Sequence, residues 1–178
     1  MAGPVAVAAT YLPPDFDTFG IDDSKKLAPM MRENMAERIR RQSIFALRFC
    51  DNQCIDRIGI LPATLLAMRQ AVHAVARALG IPVNQVMVVV DGKIEIPGLN
   101  MLQKTWVKAD SKSWAVAAGS IIAKTNRDHL MQWADTIYPE YGFIRHKGYG
   151  TAIHMNALRE HGPCPLHRLS FSLPGRNL

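Results

Sequence analysis

Two aspartates carry the first chemical signal in the chain. Asp91 closes the apolar run Gln85-Val-Met-Val-Val-Val90 and is followed by Gly92. Asp110 stands in Lys108-Ala-Asp-Ser-Lys112, at the end of the next candidate strand and just ahead of a helix. Ligands of open α/β sheets bind beyond the carboxyl ends of the strands, so two carboxylates at adjacent strand ends could converge on one divalent metal. Hard oxygen donors suit Mg²⁺ or Mn²⁺ rather than zinc. Each aspartate also has a plain alternative: an Asp-Gly turn in which Asp91 bonds its own backbone, and a helix-capping role for Asp110.

Positive charge follows downstream, at Lys124, Arg127, Arg145, His146, Lys147 and Arg168, with Tyr138, Tyr141, Phe143 and Tyr149 interleaved. Basic groups hold phosphates and aromatic faces stack on bases or sugars. The alternative is a solvated basic face over core aromatics. In His146-Lys-Gly-Tyr-Gly-Thr151 two glycines flank Tyr149, so the backbone there can approach a ligand and present the ring. His167-Arg168 is a weaker hint, because a lone histidine more often serves structure than catalysis.

The elements that must position these residues read as alternating strands and helices. Residues 5–12 form a short apolar run ended by Pro13-Pro14, which predicts a strand and a loop, and residues 15–26 are polar loop. Met31, Met35 and Ile39 recur at helical spacing over 29–42, and Ile44 to Phe49 reads as a strand. Leu65, Met68, Val72, Val75 and Leu79 place a helix over 61–79, stopped by Gly80 and Pro82. The run 85–90 is predicted to be a strand buried on both faces, residues 105–109 another strand, and residues 113–136 a helix. Residues 139–162 are punctuated by Gly and His. Together these give an α/β class with a substantially parallel sheet.

Composition sets the outer limits. The 178 residues are enough for one domain with a real core, read as a sheet-and-helix body over 1–136 and a C-terminal region over 137–178. With 48% hydrophobic and 20% charged residues the chain is of ordinary globular type, and no apolar run reaches membrane-spanning length. The N-terminal stretch lacks a basic region and a long leucine-rich core, so no secretory signal is read, and the expected location is the cytoplasm. Cys50, Cys54 and Cys164 form neither a disulfide framework nor a zinc pattern, which predicts free thiols. A net charge of +6 favours an anionic partner such as nucleic acid.

Eight segments together resemble bacterial ribonuclease HII, the type 2 ribonuclease H. They are Asp23-Ser-Lys-Lys-Leu27, Ala63-Thr-Leu-Leu-Ala-Met68, Val90-Asp-Gly92, Lys108-Ala-Asp-Ser-Lys112, Ser120-Ile-Ile-Ala-Lys124 with Arg127-Asp128, Tyr138-Pro-Glu-Tyr-Gly-Phe143, His146-Lys-Gly-Tyr-Gly-Thr151 and His167-Arg-Leu-Ser-Phe171. The likeness runs nearly the whole chain in the family's order. It implies a ribonuclease H-like α/β fold, a mixed sheet flanked by helices with a C-terminal helical region. It further implies endonucleolytic cleavage of the RNA strand of RNA–DNA hybrids and cuts 5′ of single ribonucleotides in duplex DNA, by two-metal hydrolysis with Mn²⁺ or Mg²⁺ and by a monomer. Asp91 and Asp110 match two of the family's four metal-binding carboxylates. Tyr149 matches its junction-sensing tyrosine, and Lys147, Lys124 and Arg168 are the accompanying substrate-binding candidates. Asp128 reads as a structural ion-pair partner.

The same comparison shows a departure. The family's first, central strand, with an adjacent Asp-Glu pair and a Gly-Arg-Gly loop, finds no counterpart in the sequence, and Met1-Ala-Gly-Pro-Val5 resembles the stretch just after that loop. The expectation is a chain that starts about one strand late, folds poorly and cleaves little. The competing readings are a catalytically degenerate hybrid-binding protein and a different nuclease or strand-transfer enzyme on the same general fold, against which the Lys-Gly-Tyr-Gly motif argues.

Overall fold

The computed structural model describes residues 1–22, 24 and 27–172. Asp23, Lys25 and Lys26 of the first resembling segment lie outside the described residues. Elements follow in the order β1 (Val5–Tyr11), α1 (Pro29–Gln42), β2 (Ile44–Cys50), α2 (Asn52–Ile58), α3 (Ile60–Leu79), β3 (Met87–Asp91), β4 (Leu102–Trp106), α4 (Trp114–Ile137), α5 (Phe143–His146) and α6 (Ala152–His161). The alternation is α/β, as the hydrophobic periodicities predict, with the helical C-terminal region that the resemblance implies. Chain contacts divide it into two compact units, one of residues 6–48 and 65–125, the other of residues 1–5, 49–64 and 126 onward.

In the first unit the strands form two pairs, β1 with β2 and β3 with β4. The expected parallel sheet is therefore present as one parallel pair, with Met87 opposite Leu102 and Asp91 opposite Trp106. Burial along β3 alternates: Val88 and Val90 are buried while Met87 is 57% exposed. This corrects the expectation of a strand buried on both faces, and the reason is local. Among the described residues β3 has one strand neighbour, and it lines an apolar cleft of about 800 Å³ with residues such as Ala6, Ala8, Val72 and Val116. β4 also runs earlier than expected, over 102–106, because Lys108 takes a left-handed conformation (φ 57°) and Ala109–Ser111 close into a 3₁₀ turn.

Small residues let helices lie close on the strands. Ala36 and Ile39 of α1 pack with Ala117, Ala118, Ile121 and Ile122 of α4 in one buried cluster. A side chain at Gly119 would begin 3.0 Å from the carbonyl oxygen of Ala8 on β1, and the Thr10 hydroxyl donates to the Ala115 carbonyl nearby.

The second unit has its own core, built on Ala2, Met131, Ala134, Tyr141, Phe143, Leu158 and Cys164. Tyr141 and Phe143, read as candidate stacking faces, are instead buried and stacked on each other at 5.4 Å. The short helix α2, which sequence periodicity does not announce, begins where the Asp51 carboxylate accepts the Cys54 amide at 2.7 Å. The three cysteines are free thiols, and the Cys50 thiol is pushed up to about 12, by burial first and then by its hydrogen bond with Cys54. Among the described residues no single helix is long and apolar enough to cross a membrane.

Gly119→Val tests the close approach of α4 to β1. Overpacking of this kind costs about 1–3 kcal/mol, so the urea midpoint should fall while a Ser43→Ala control moves little; an unchanged midpoint for Gly119→Val would show that α4 has room at this crossing.

Candidate functional site

The two aspartates belong to the first unit. Asp91 ends β3, exposed, and Asp110 sits half-buried in the 3₁₀ turn that follows β4. One contact connects them: the Ala109 amide donates to Asp91 Oδ1 at 3.0 Å, so the backbone next to Asp110 is held on the Asp91 carboxylate. The turn is secured by the Ser111 hydroxyl and amide on the Lys108 carbonyl (2.8 and 3.1 Å) and by the Ser113 amide on the Ala109 carbonyl (2.8 Å). Ser113 Oγ takes the Val116 amide at the start of α4. Asp91 therefore reaches across to the neighbouring strand's turn, and the helix-start bond that could have fallen to Asp110 is made by Ser113. Lys124, half-buried on α4, belongs to the same unit.

Tyr149, Lys147 and Arg168 belong to the second unit. Lys147 and Gly148 are successive left-handed residues (φ 51° and 80°), a sharp turn that presents the Tyr149 ring 57% exposed. A Cβ at Gly148 would fall 2.5 Å from the Ala2 carbonyl oxygen, so glycine is required there on both counts. Beneath the turn lies Arg127. Its Nε donates to the Pro4 carbonyl (3.0 Å), Nη1 to that of Lys147 (2.9 Å) and Nη2 to that of Ala2 (3.2 Å). The same guanidinium lies 5.2 Å from the centre of the Tyr149 ring, a cation–π distance.

The basic residues divide by placement. Lys147 Nζ donates to the Ile144 carbonyl at 2.6 Å. Arg168 is only 7% exposed; its Nε donates to the Gly3 carbonyl at 2.9 Å, and its guanidinium lies over Phe171. Burial, then the Arg127 charge, hold the Arg168 pKa below its ordinary value.

Asp56 and Asn52 of α2 went unnoticed in the sequence. Asp56 accepts the Leu169 and Ser170 amides and the Ser170 hydroxyl at 2.7–2.9 Å, while Asn52 donates to the carbonyls of Pro165 and His167. Burial works against the Asp56 charge, but the bonds from Ser170 and Leu169 outweigh it and hold that carboxyl below its usual range. Neither residue lies in a recognisable pattern, because their partners are over 110 positions away.

Comparison with known proteins gives a consistent result. A family model described as Ribonuclease HII matches residues 1–173. The Ribonuclease HII of Syntrophotalea carbinolica is 45% identical over 172 residues, covering 96% of this chain and 79% of that protein. Among solved structures, the ribonuclease HII in its complex with PCNA from Archaeoglobus fulgidus superposes with a TM-score of 0.75 at 23% identity, covering 94% of this chain and 86% of that one. Bst-RNase HIII in complex with Mn²⁺ gives 0.71 at 22% identity over 90% of this chain and 58% of that one. The structural likeness shows the ribonuclease H-like fold.

Arg127→Met leaves three carbonyls without their donor. Each buried acceptor left unpaired costs about 1–3 kcal/mol, so the thermal midpoint should drop clearly, and Arg127→Lys should recover only part because an ammonium lacks the planar fork. Full recovery by lysine would show that charge, not geometry, is what the turn needs.

Proposed function

Because the chain belongs to the ribonuclease HII family, whose members are hydrolytic ribonucleases, we propose that it cleaves the RNA strand of RNA–DNA hybrids endonucleolytically and cuts 5′ of single ribonucleotides in duplex DNA. The observation that supports the reading is the Asp91 carboxylate bound to the Ala109 amide, which ties the end of β3 to the turn that carries Asp110.

The donor chemistry fits a hard divalent cation. One oxygen of Asp91 is engaged by Ala109, which leaves its other oxygen and the Asp110 carboxylate as ligands. Mg²⁺ in particular is commonly held by one or two carboxylates, with water and substrate phosphate completing the shell. Two bound Mg²⁺ or Mn²⁺ ions would supply a more acidic attacking water and charge stabilisation at the leaving 3′ oxygen.

The remaining roles fall to this chain's own side chains. Tyr149 offers an exposed ring where a 2′-hydroxyl distinguishes RNA from DNA. Lys147 and Lys124 add positive charge toward phosphates. Arg168 acts from its buried place, through the Gly3 backbone, and supports binding indirectly.

Among the described residues no group of three or more His, Cys, Asp or Glu side chains is placed to hold a metal. Weak cleavage is the expectation from a set of two carboxylates, and the same set favours a second reading, a hybrid-binding protein without turnover. The deciding assay uses a duplex carrying one ribonucleotide, with Mn²⁺ or with EDTA. Metal-dependent product supports the nuclease; salt-dependent binding with no metal-dependent product supports the binder.

Where turnover is measurable, Asp91→Asn should abolish it, at least 100-fold down, with the thermal midpoint nearly unchanged. Near-normal turnover would remove Asp91 from the metal site. Tyr149→Ala should reduce cutting at a single embedded ribonucleotide more than it weakens duplex binding, and equal losses would count against a role in sensing the junction.

A further inference from the structure

Three histidines of the second unit have no part in the function proposed above. His146 ends α5, His154 lies in α6 and His167 follows the Cys164 turn, and they are 7%, 0% and 1% exposed. The rings of His146 and His154 stack at 4.4 Å with 12° between their planes. His154 and His167 meet Nε2 to Nε2 at 2.9 Å.

Their partners leave each ring one tautomer. The Gly148 amide can only donate, so His146 Nδ1 accepts it (3.2 Å) and His146 Nε2–H donates to the Tyr141 carbonyl (2.9 Å). The Tyr149 carbonyl can only accept, so His154 Nδ1–H donates to it (2.9 Å) and His154 Nε2 is an acceptor. His167 must then donate from Nε2, so of the two Cys164 groups beside its Nδ1, the amide at 2.9 Å and the carbonyl at 3.2 Å, Nδ1 accepts the nearer amide. The three assignments agree, and all three rings are neutral.

We propose that this neutral three-histidine chain positions Tyr149 for ribonucleotide recognition, His146 gripping the turn by the Gly148 amide and His154 by the Tyr149 carbonyl. The inference rests on the reading of Tyr149 given above. The histidines touch no substrate; they are positioning residues. The Tyr149 carbonyl also accepts the Thr151 amide at 2.9 Å, and Thr151 Oγ1 takes the His154 amide where α6 begins. The helix start and the ring presentation thus share one set of bonds.

The chain has little room for a proton. On His154 Nε2 it would face the His167 Nε2–H at 2.9 Å; on His146 Nδ1 it would face the Gly148 N–H. The surroundings act mainly in the same direction. Burial, then the other histidines, lower His154 to about 4, although its bond to Tyr149 opposes this. Burial likewise lowers His146 and His167. The Met1 α-amino group, on the Gly148 carbonyl, is itself lowered to about 5, by burial first and then by the Arg168 and Arg127 charges, and Lys147 is cationic, whereas the bond to the Tyr141 carbonyl and then Asp135 favour a charged His146. Tyr141 and Cys164 also lie against His167, and burial raises both; next to it in sequence, Arg168 is lowered by burial.

The sign follows directly. A histidine at 6.5 in the released turn and near 4 in the held turn binds its proton preferentially when released, so the held state is fully favoured above pH 6.5 and is lost as pH falls from 6.5 toward 4. For His154 alone the held-to-released ratio drops about 30-fold between pH 8 and pH 5.

The test reads tautomers, turn opening and recognition in the full chain. Imidazole ¹⁵N shifts at pH 8 should report Nε2–H, Nδ1–H and Nε2–H for His146, His154 and His167; a different tautomer or a charged ring overturns the proposal. Amide exchange of Gly148 and Thr151, corrected for intrinsic rates, should open at least tenfold in His154→Leu and as wild-type pH falls to 5, and His154→Asn, which keeps a donor for the Tyr149 carbonyl, should restore protection at pH 8. Protection equal to wild type in a folded His154→Leu, or no restoration by asparagine, overturns the tether. The affinity ratio for a duplex with one ribonucleotide over an all-DNA duplex, in Ca²⁺, should fall in His154→Leu as in Tyr149→Ala and recover in His154→Asn. Lost protection with an unchanged ratio in both His154→Leu and Tyr149→Ala refutes the Tyr149 reading and leaves the tether standing.

Discussion

Backbone polar groups buried away from regular structure must find partners, and the second unit rests on how that demand is met. Its N-terminal residues and its Tyr149 turn are both irregular, and neither has a ladder of strand or helix bonds to use. Arg127 answers for three carbonyls at once, and Arg168 for a fourth at Gly3. An arginine suits this work because its donors form a rigid fork and its charge is always present. The residues flanking these carbonyls then place the Met1 carbonyl on the Arg168 amide and the Gly3 amide on the Leu166 carbonyl. What looks in sequence like a run of phosphate ligands is in good part internal scaffolding.

The first unit solves a different problem, that of placing carboxylates at strand ends without burying them. Alanines and Gly119 bring α4 onto β1 at close range, and the parallel β3–β4 pair ends with Asp91 opposite Trp106. The left-handed Lys108 then turns the chain sharply, so that the Ala109 amide meets the Asp91 carboxylate. The backbone beside Asp110 is thereby held on the Asp91 carboxylate, at the end of the parallel pair.

The histidine chain joins these themes. Neutral imidazoles with one donor and one acceptor each can link backbone groups that point in different directions, something no aliphatic side chain does. The rings also pack as apolar surfaces against Phe143 and Tyr141. Core packing and polar satisfaction are met by the same residues, so the turn that carries Tyr149 is coupled to the hydrophobic centre of its unit.

Much of this protein could be read from its residues in order. The helices over 29–42, 61–79 and 113–136 and the strands near 5–12 and 44–49 were legible because apolar periodicity is a local property that folding preserves. The two aspartates and Tyr149 stood out because strand ends and Gly-flanked turns have local signatures, and eight segments in one order pointed to the family that the comparisons then showed. Tertiary structure alone decided the rest. The burial of β3 on one face depended on having one strand neighbour, the end of β4 on a left-handed Lys108, and the inward course of Tyr141, Phe143, Arg127 and Arg168 on which carbonyls and cores lay beside them. The partners of Asp56, Asn52 and His154 were equally out of reach, since hydrogen bonds between distant segments leave no trace in either segment by itself. Periodicity reports which face of an element is apolar; only the folded chain determines what that face and its polar neighbours meet.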